Sequence, residues 1–221
     1  MFETIRGKRQ WHTPPDPDAA KLGFHGWYSR GYLPHFDKPG LVQFINYRLA
    51  DAMPTDLRYE WAALLEIDDE VKRQTKIEEY FDRGRGSCLL CDERVAAAVE
   101  ENWLHFDGQH YRLLAWVVMP NHVHLLVEIW QTPQAQLIKD WKGYSARRIN
   151  RVLNQRGKLW QDDYWDRYIR DETHYRKVVH YIESNPVKAG LVKSPEQWPF
   201  SSARFQSEYS RIQLPSKASA P

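Results

Sequence analysis

The sequence has few of the features that mark secreted or membrane proteins. Its two cysteines, Cys88 and Cys91, form one Cys-Leu-Leu-Cys pair, and no second cysteine pair completes the ligand set of a structural zinc site. No apolar run reaches the ~18 residues that a transmembrane helix requires. Residues 1–9 lack the apolar core of a secretory signal. We therefore expect a cytoplasmic protein without a membrane span, whose thiols are reduced and structurally incidental.

The composition is that of one globular domain with loose ends. Of the 221 residues, 42% are apolar, with 10 Trp and 12 Tyr, and this supports a hydrophobic core of ordinary size. Proline-rich stretches near both ends predict segments without regular structure. We expect a flexible lead-in at residues 1–25, a single domain at 26–205 and a flexible tail at 206–221.

Positive charge is concentrated in one stretch of the chain, although the net charge is only +2. Residues 139–158 contain seven basic side chains and one acidic one, Asp140. Such a stretch suits a phosphate-backbone partner, and a solvated helix face explains it equally well. The candidate DNA contacts, including one outside this stretch, are Lys142, Arg147, Arg148, Arg151, Lys158 and Arg30.

Hydrophobic periodicity predicts alternating strands and helices. Strands are expected at residues 41–49, 110–119, 122–129 and 159–170, and helices at 56–81, 92–106, 134–155 and 171–185. Two strands joined by a tight turn, with helical crossovers on either side, are typical of the ferredoxin-like (RRM-like) plan. The predicted fold class is therefore α+β, with a four-stranded antiparallel sheet covered by helices.

A His-x-His pair opens the strand at residues 122–129. Successive strand side chains point to opposite faces, so His122 and His124 project side by side while Val123 points to the other face. Two imidazoles so placed can grip one metal ion. A pair of partly exposed histidines on a sheet face is the alternative, and a further ligand from elsewhere is needed to decide.

The last predicted helix supplies that further candidate. Tyr181 and Asn185 are four residues apart and therefore stack on one helix face. This face lies roughly 90° from the apolar stripe at ~3.6 residues per turn. Pro186 should end the helix at Asn185. The alternative is a boundary aromatic followed by a C-terminal cap. The apolar stripe consists of Tyr175, Val178, Val179 and Ile182.

Together the four polar residues can perform phosphodiester chemistry. Two neutral imidazoles and one carboxamide oxygen would leave a divalent ion with open positions for phosphate oxygens. A tyrosine one turn away can attack the phosphorus and hold the cleaved strand covalently, so that it can be rejoined without ATP.

Several motifs resemble one family, the single-tyrosine HUH transposases, and within it the REP-associated tyrosine transposases of bacteria. The motifs are MPNHVHLL at 119–126, LWQDDYWDR at 159–167 and YIESNPVKA at 181–189, with GWYSRGYLPH at 26–35 and WPFSSA at 198–203. The resemblance implies that His122 and His124 are the metal-binding pair, Tyr181 the nucleophile and Asn185 the third ligand. Insertion-sequence relatives often carry Gln at this last position.

The same resemblance implies the ferredoxin-like fold, a divalent metal (Mg²⁺ or Mn²⁺) and a single-stranded or hairpin DNA substrate in the cytoplasm, at the nucleoid. It implies a monomer or a homodimer, in which tyrosine and histidines can come from different chains. Two other functions stay open: a domesticated DNA-hairpin-binding protein without mobilising activity, and a zinc hydrolase, for which no further ligand is evident. Tyr144 is a competing tyrosine, but no carboxamide follows it four residues on.

Overall fold

The computed structural model describes residues 2–5, 8–11, 17–29, 34–52, 76 and 86–205. Two hairpins come first, β1 (Phe2–Ile5) with β2 (Lys8–Trp11) and β3 (Gly26–Ser29) with β4 (Pro34–Asp37), separated by the short helix α1 (Pro17–Lys21). The main elements that follow are β5 (Val42–Arg48), α2 (Glu93–Phe106), β6 (Tyr111–Val118), β7 (His122–Ile129), α3 (Gln134–Val152), β8 (Trp165–Tyr168) and α4 (Glu172–Lys188).

The main sheet has four strands in the order β6-β7-β5-β8, and every neighbouring pair is antiparallel. Strand β5, the first of these four along the chain, is therefore central, and the hairpin β6–β7 lies beside it, as the ferredoxin-like plan requires. The fold class predicted from the sequence is confirmed. The helix expected at residues 56–81, the tail at 206–221 and the candidate Arg30 lie outside the described residues.

Each face of the sheet has its own core. Helices α2 and α3 cover one face, where Trp103 and Trp141 pack with alternate strand residues such as Tyr47, Leu125 and Val127. Helix α4 covers the other face, where Val178 and Ile182 pack on Phe44, Leu126 and their neighbours. The apolar stripe predicted for α4 therefore packs on the sheet as expected.

A register shift in β6 changes which of its side chains face each of the two cores. Between Leu113 and Ala115 the pairing with β7 slips by one residue. Leu114 and Ala115 consequently both join the core under α4, whereas Leu113 and Trp116 stay on the α2–α3 face.

Helices α2 and α4 begin where a short acidic side chain caps them. The Asp92 carboxylate accepts a hydrogen bond from the Arg94 N–H, and the Asp171 carboxylate accepts one from the His174 N–H at 2.8 Å. No helix among the described residues combines the length and apolarity needed to cross a membrane.

The expected end of the last helix is wrong. Helix α4 continues through Pro186 to Lys188, and the Ala189 N–H donates to the Asn185 carbonyl at 3.0 Å. A proline this close to a helix end removes only one N–H donor. Pro186 is itself buried, and its packing offsets that loss.

Two further boundaries differ from expectation. The strand predicted at residues 159–170 is regular only at Trp165–Tyr168, because the carbonyls of residues 161–163 accept hydrogen bonds from the Lys142 ammonium instead of forming a ladder. In the predicted lead-in, Ala19 and Phe24 are buried in the core, so packed chain begins before residue 26.

Candidate active site

The tight turn between β6 and β7 brings the two histidines onto the sheet face covered by α4. The Met119 N–H donates to the His122 carbonyl at 2.9 Å and closes the turn. From there the strand alternation directs His122 and His124 to the same face as Leu126. Their Nε2 atoms lie 3.0 Å apart, and both side chains are buried.

Amide side chains fix the orientation of both rings. Nδ1–H of His122 can donate to Oδ1 of the adjacent Asn121 at 2.7 Å, which leaves the Nε2 lone pair directed into the site. Nδ2 of Asn46 lies 3.0 Å from Nδ1 of His124 and donates to it in this orientation. Turning this amide so that its oxygen faces the ring would let Nδ1–H donate instead, and Nε2 of His124 would then also present a lone pair.

Burial keeps both imidazoles neutral. It lowers the pKa of His122 to about 3, with a smaller contribution from the Arg48 guanidinium. It lowers the pKa of His124 well below its usual value, helped by His122 and by the Lys188 ammonium. Since a metal binds only the neutral form of imidazole, both rings are ready as ligands at neutral pH.

Helix α4 brings Asn185 and Tyr181 to the histidine pair. The Asn185 side chain is fully buried, and its Nδ2 lies 3.4 Å from Nε2 of His124. The Tyr181 ring meets His124 edge-on at a centroid distance of 5.3 Å and Phe44 at 5.9 Å. The four site residues predicted from the two motifs therefore lie together in space.

The donor set fits one divalent ion. Two nitrogen ligands at right angles, each ~2.1 Å from a metal, are about 3 Å apart, as Nε2 of His122 and Nε2 of His124 are. Oδ1 of Asn185 is buried and has no hydrogen-bond partner among the described residues, so a half-turn of this amide would offer it to a cation. Within the described ranges, no three His, Cys, Asp or Glu side chains form a competing cluster.

Lys188 is a functional candidate that the sequence analysis missed. Its Nζ lies 5.0 Å from the centre of the Tyr181 ring, and its charge acts on His124. A helix ending at Asn185 would have placed this lysine in a loop. The actual continuation brings it two turns after Tyr181 on the same side, where the i, i+7 spacing was the available signal.

The predicted DNA contacts fall into two groups. Arg147 and Arg151 are exposed on α3. Three others have partners: Arg148 pairs with Glu101 at 2.5 Å, Lys158 pairs with Asp162 at 2.6 Å, and Lys142 donates to three backbone carbonyls. The Lys142 ammonium therefore anchors the segment before β8, a role that competes with phosphate contact.

Helix α3 also lies on the sheet face opposite to the histidines. The basic side chains on the α4 side were not predicted. Burial lowers the pKa of His174, and the charges of Arg167, Arg170 and Lys177 lower it further, which marks a positive surface at the start of α4. Periodicity alone could not identify this surface because its members come from two elements.

Comparison with known proteins locates the similarity in the part of the chain that carries the site. Residues 91–185 match the family model described as "Transposase IS200 like". A REP-associated tyrosine transposase of Escherichia coli (strain K12) is 36% identical over 94 residues, which are 41% of this chain and 53% of that protein. A relative from Haemophilus influenzae (strain ATCC 51907 / DSM 11121 / KW20 / Rd) is 28% identical over 110 residues, covering 42% of this chain and 61% of the relative.

The chain thus spans about half the length of the curated relatives it matches. A solved structure entitled "Structure of the REP associates tyrosine transposase bound to a REP hairpin" aligns with a TM-score of 0.48 and 20% identity, over 85% of this chain and 88% of that one. Residues 91–185 are thus similar to the IS200-like transposases, and the chain is similar to the REP-associated tyrosine transposases, which is the resemblance that its motifs predicted.

Proposed function

We propose that the chain cleaves and rejoins single-stranded DNA at or near hairpin sequences, through a covalent 5′-phosphotyrosine at Tyr181. His122, His124 and Asn185 would hold a divalent ion, Mg²⁺ or Mn²⁺. The kinship with a REP-associated tyrosine transposase supports this proposal. The chain would act as a monomer or a homodimer.

One observation carries the proposal: a tyrosine, two neutral imidazoles and an amide oxygen without a partner meet at one point of the sheet. The histidines are 3.0 Å apart, Asn185 is 3.4 Å from His124, and the Tyr181 ring contacts His124. A buried amide oxygen without a partner costs on the order of 1–3 kcal/mol. Oε1 of Gln43 and Oε1 of Gln134 are in the same situation, but the oxygen of Asn185 is on a side chain that lies beside the two imidazoles. A bound cation removes this cost.

The reaction is a transfer of the phosphoryl group between two oxygens. Oη of Tyr181, which is buried in the structure without DNA, attacks the phosphorus and forms a new O–P bond, while the bond from phosphorus to the 3′ oxygen breaks. Its proton passes to a water molecule that enters the site with the DNA. The departing 3′ oxygen takes up a proton, and the strand that begins with the 5′ phosphate stays on Tyr181. A 3′ hydroxyl of another strand reverses the step and joins the two strands.

The protein contributes the position of the nucleophile and positive charge. The Tyr181 ring packs edge-on against the stacked rings of Phe44 and His124, and this contact limits the positions of its oxygen. Lys188, beside the same ring, can hold a phosphate oxygen of the incoming strand. When bound, the divalent ion supplies polarisation of the scissile phosphate and offsets charge on the leaving oxygen.

The nucleophile can be tested with a hairpin oligonucleotide labelled at its 3′ end. Wild-type protein should acquire the label as an SDS-resistant adduct, and Tyr181→Phe should lose it, because the ring remains but the attacking oxygen is gone. Tyr175→Phe is the matched control on the same helix and should keep the adduct. An adduct in the Tyr181→Phe protein would overturn this assignment.

The same assay separates the second candidate function. A DNA-hairpin-binding protein without mobilising activity would retain affinity for the oligonucleotide while forming no adduct in the wild type. The favouring observation is the exposed basic surface formed by α3, which could bind DNA without the histidine pair.

The metal can be tested without activity by thermal unfolding in Mn²⁺. At ~100 times the dissociation constant, a site present only in the folded state adds about 2.7 kcal/mol to the free energy of unfolding. The double variant His122→Gln with His124→Gln should show no such gain, whereas His174→Gln on α4 should behave as wild type. Undiminished cleavage in EDTA would contradict the metal role.

A further inference from the structure

A cleft between α2 and α3 lies on the sheet face opposite to the candidate active site. Its volume is about 310 Å³, at the lower end of the range of small-molecule sites. We call it the α2–α3 cleft, and the six lining residues that matter here are Asn102, Phe106, Asp140, Trp141, Tyr144 and Arg147.

Two aromatic rings on its rim are unusually exposed. Tyr144 is 46% and Phe106 37% exposed, in a protein whose other large aromatic side chains mostly pack in the two cores. Among the described residues no aromatic ring contacts Tyr144, whereas the Phe106 ring contacts the imidazoles of His105 and His110 at centroid distances of 4.5 and 5.0 Å. Flat, solvent-facing aromatic faces beside a cleft are what unstacked nucleic-acid bases bind in single-strand-binding proteins.

The floor of the cleft is rigid. Trp141 is buried, and its indole N–H donates to the Tyr111 hydroxyl at 3.1 Å, which in turn donates to the Trp103 carbonyl at 2.6 Å. The Asn102 amide donates to the Trp141 carbonyl at 3.0 Å. A ligand would therefore enter a preformed site, and little binding free energy would be lost in ordering the residues that line it.

The charged residues of the cleft fit a nucleotide. Arg147 is exposed and forms no ion pair within the described part of the chain, so its guanidinium is available for a phosphate. The guanidinium lies beside Gly143 on the same helix, where even a Cβ would be in ordinary contact with Nη1 at 3.4 Å. Both carboxylate oxygens of Asp140 accept hydrogen bonds from the Gln136 amide at 2.9 Å, and each oxygen has a second lone pair. Asp140 can use these lone pairs to accept N–H donors from a base edge, which disfavours bases without an amino group.

We propose that the α2–α3 cleft binds one unstacked nucleotide of single-stranded DNA outside the cleavage site. Its base stacks on Tyr144 and Phe106, and its phosphate contacts Arg147. This inference rests on the proposed function only in taking DNA as the partner. It also gives the basic face of α3 a role although that face points away from Tyr181.

The test measures the affinity of a fluorescein-labelled single-stranded 20-mer of mixed sequence by anisotropy. Tyr144→Leu should weaken binding about tenfold, because base–aromatic stacking is lost while apolar volume is kept. Tyr144→Phe retains the ring and should bind as wild type. Val152→Ala removes a comparably exposed apolar side chain from the same helix, outside the cleft, and serves as the matched control.

Salt dependence separates the two contacts. The loss in Tyr144→Leu should be the same at low and high salt, because stacking is not ionic. Arg147→Gln should reduce the slope of log affinity against log salt by about 0.7, the value for one phosphate on a single strand. An oligo(dT) probe should bind more weakly than an amino-bearing mixed sequence in wild type, and this difference should shrink in Asp140→Asn.

The outcomes are distinguishable from those of the proposed function. If wild type forms the Tyr181 adduct but Tyr144→Leu and Arg147→Gln bind the 20-mer as wild type, the cleft assignment is overturned and the proposed function stands. If the variants bind weakly yet still form the adduct at saturating DNA, both are supported. A wild type that binds no DNA overturns both.

Discussion

His35 and the His122–His124 pair are buried to a similar degree, yet the pKa of His35 is raised and the pKa values of the pair are lowered. His35, on β4, is 1% exposed, and its pKa is raised to about 9. His122, on β7, is 2% exposed, and its pKa is lowered to about 3. Burial disfavours the charged form in both places, so their neighbours decide the difference.

Around His35 the neighbours are carboxylates. Burial opposes its charging, but the hydrogen bond to Asp166 and the charge attraction of Asp163 and Asp166 outweigh the burial. Nδ1 of His35 bonds the Asp166 carboxylate, and its Nε2 lies 3.7 Å from Asp163. The result is a buried ion pair that ties the β3–β4 hairpin to β8.

Around the His122–His124 pair the neighbours are amides and cations. Asn121, Asn46 and Asn185 supply polar contacts without charge, and Arg48 and Lys188 repel a proton from the rings. The same residue type therefore serves as a charged structural latch in one place and as a neutral candidate ligand in the other. Substitutions at His35, or at His122 and His124, test whether the two places differ in role in this way.

The largest expected effect separates the two sets by activity. His124→Gln should lower DNA cleavage on the order of a thousandfold, about 4 kcal/mol in activation free energy, because a metal ligand is lost. His35→Gln should leave cleavage by the folded protein nearly unchanged. Rates of adduct formation with the same hairpin oligonucleotide check this, and equal losses in the two variants would contradict a distinction by role.

The next effect is on stability and concerns the latch. Asp166→Asn should lower the free energy of unfolding by about 3 kcal/mol, because it weakens a buried pair and leaves His35 without its closest counter-charge. Chemical denaturation measures this loss. Asp162→Asn is the control: this carboxylate is 90% exposed and pairs with Lys158 at the surface, so its loss should cost at most about 1 kcal/mol.

The smallest effect is a pH dependence. Because the pKa of His35 is raised from 6.5 to about 9 on folding, its stabilisation is complete below pH 6.5 and is lost as pH rises through 9. Between pH 7 and 9 the free energy of unfolding should fall by about 2 kcal/mol more in wild type than in His35→Gln. Parallel curves for the two proteins over this range would show that His35 is not charged in the fold.

The opposite sign is expected from the neutral pair. Since folding lowers the pKa of His122, its neutral form stabilises the fold above the ordinary value of 6.5, and this contribution is lost as pH falls toward 3. Below pH 6.5 the wild type should therefore lose stability more steeply than the double variant His122→Gln with His124→Gln. Denaturation between pH 4 and pH 6.5 compares the two.

Much of the candidate site could be predicted because it depends on local periodicity. The two-residue period of a strand sets His122 and His124 on one face, and the helical period stacks Asn185 on Tyr181. These relations hold wherever the elements pack. The four-stranded antiparallel sheet of the ferredoxin-like plan followed from the tight turn between two strands and the helical crossovers, and this fold class was confirmed.

The remaining features depend on neighbours that are distant in sequence. The choice of the α4 face for the site, the proximity of Lys188 to Tyr181 and the capture of Lys142 by three carbonyls arise only when elements pack together. No local pattern fixes the end of α4 past Pro186 either, because burial of the proline offsets its missing hydrogen bond.

The sequence by itself therefore determined which side chains share a face, since backbone geometry imposes that on any strand or helix. Only the tertiary structure decided the charge of each buried histidine. A pKa is set by the groups within a few ångströms, and these groups can be distant in sequence: Asp166, which sets the pKa of His35, is 131 positions away. The same packing left the amide oxygen of Asn185 without a partner beside two neutral imidazoles.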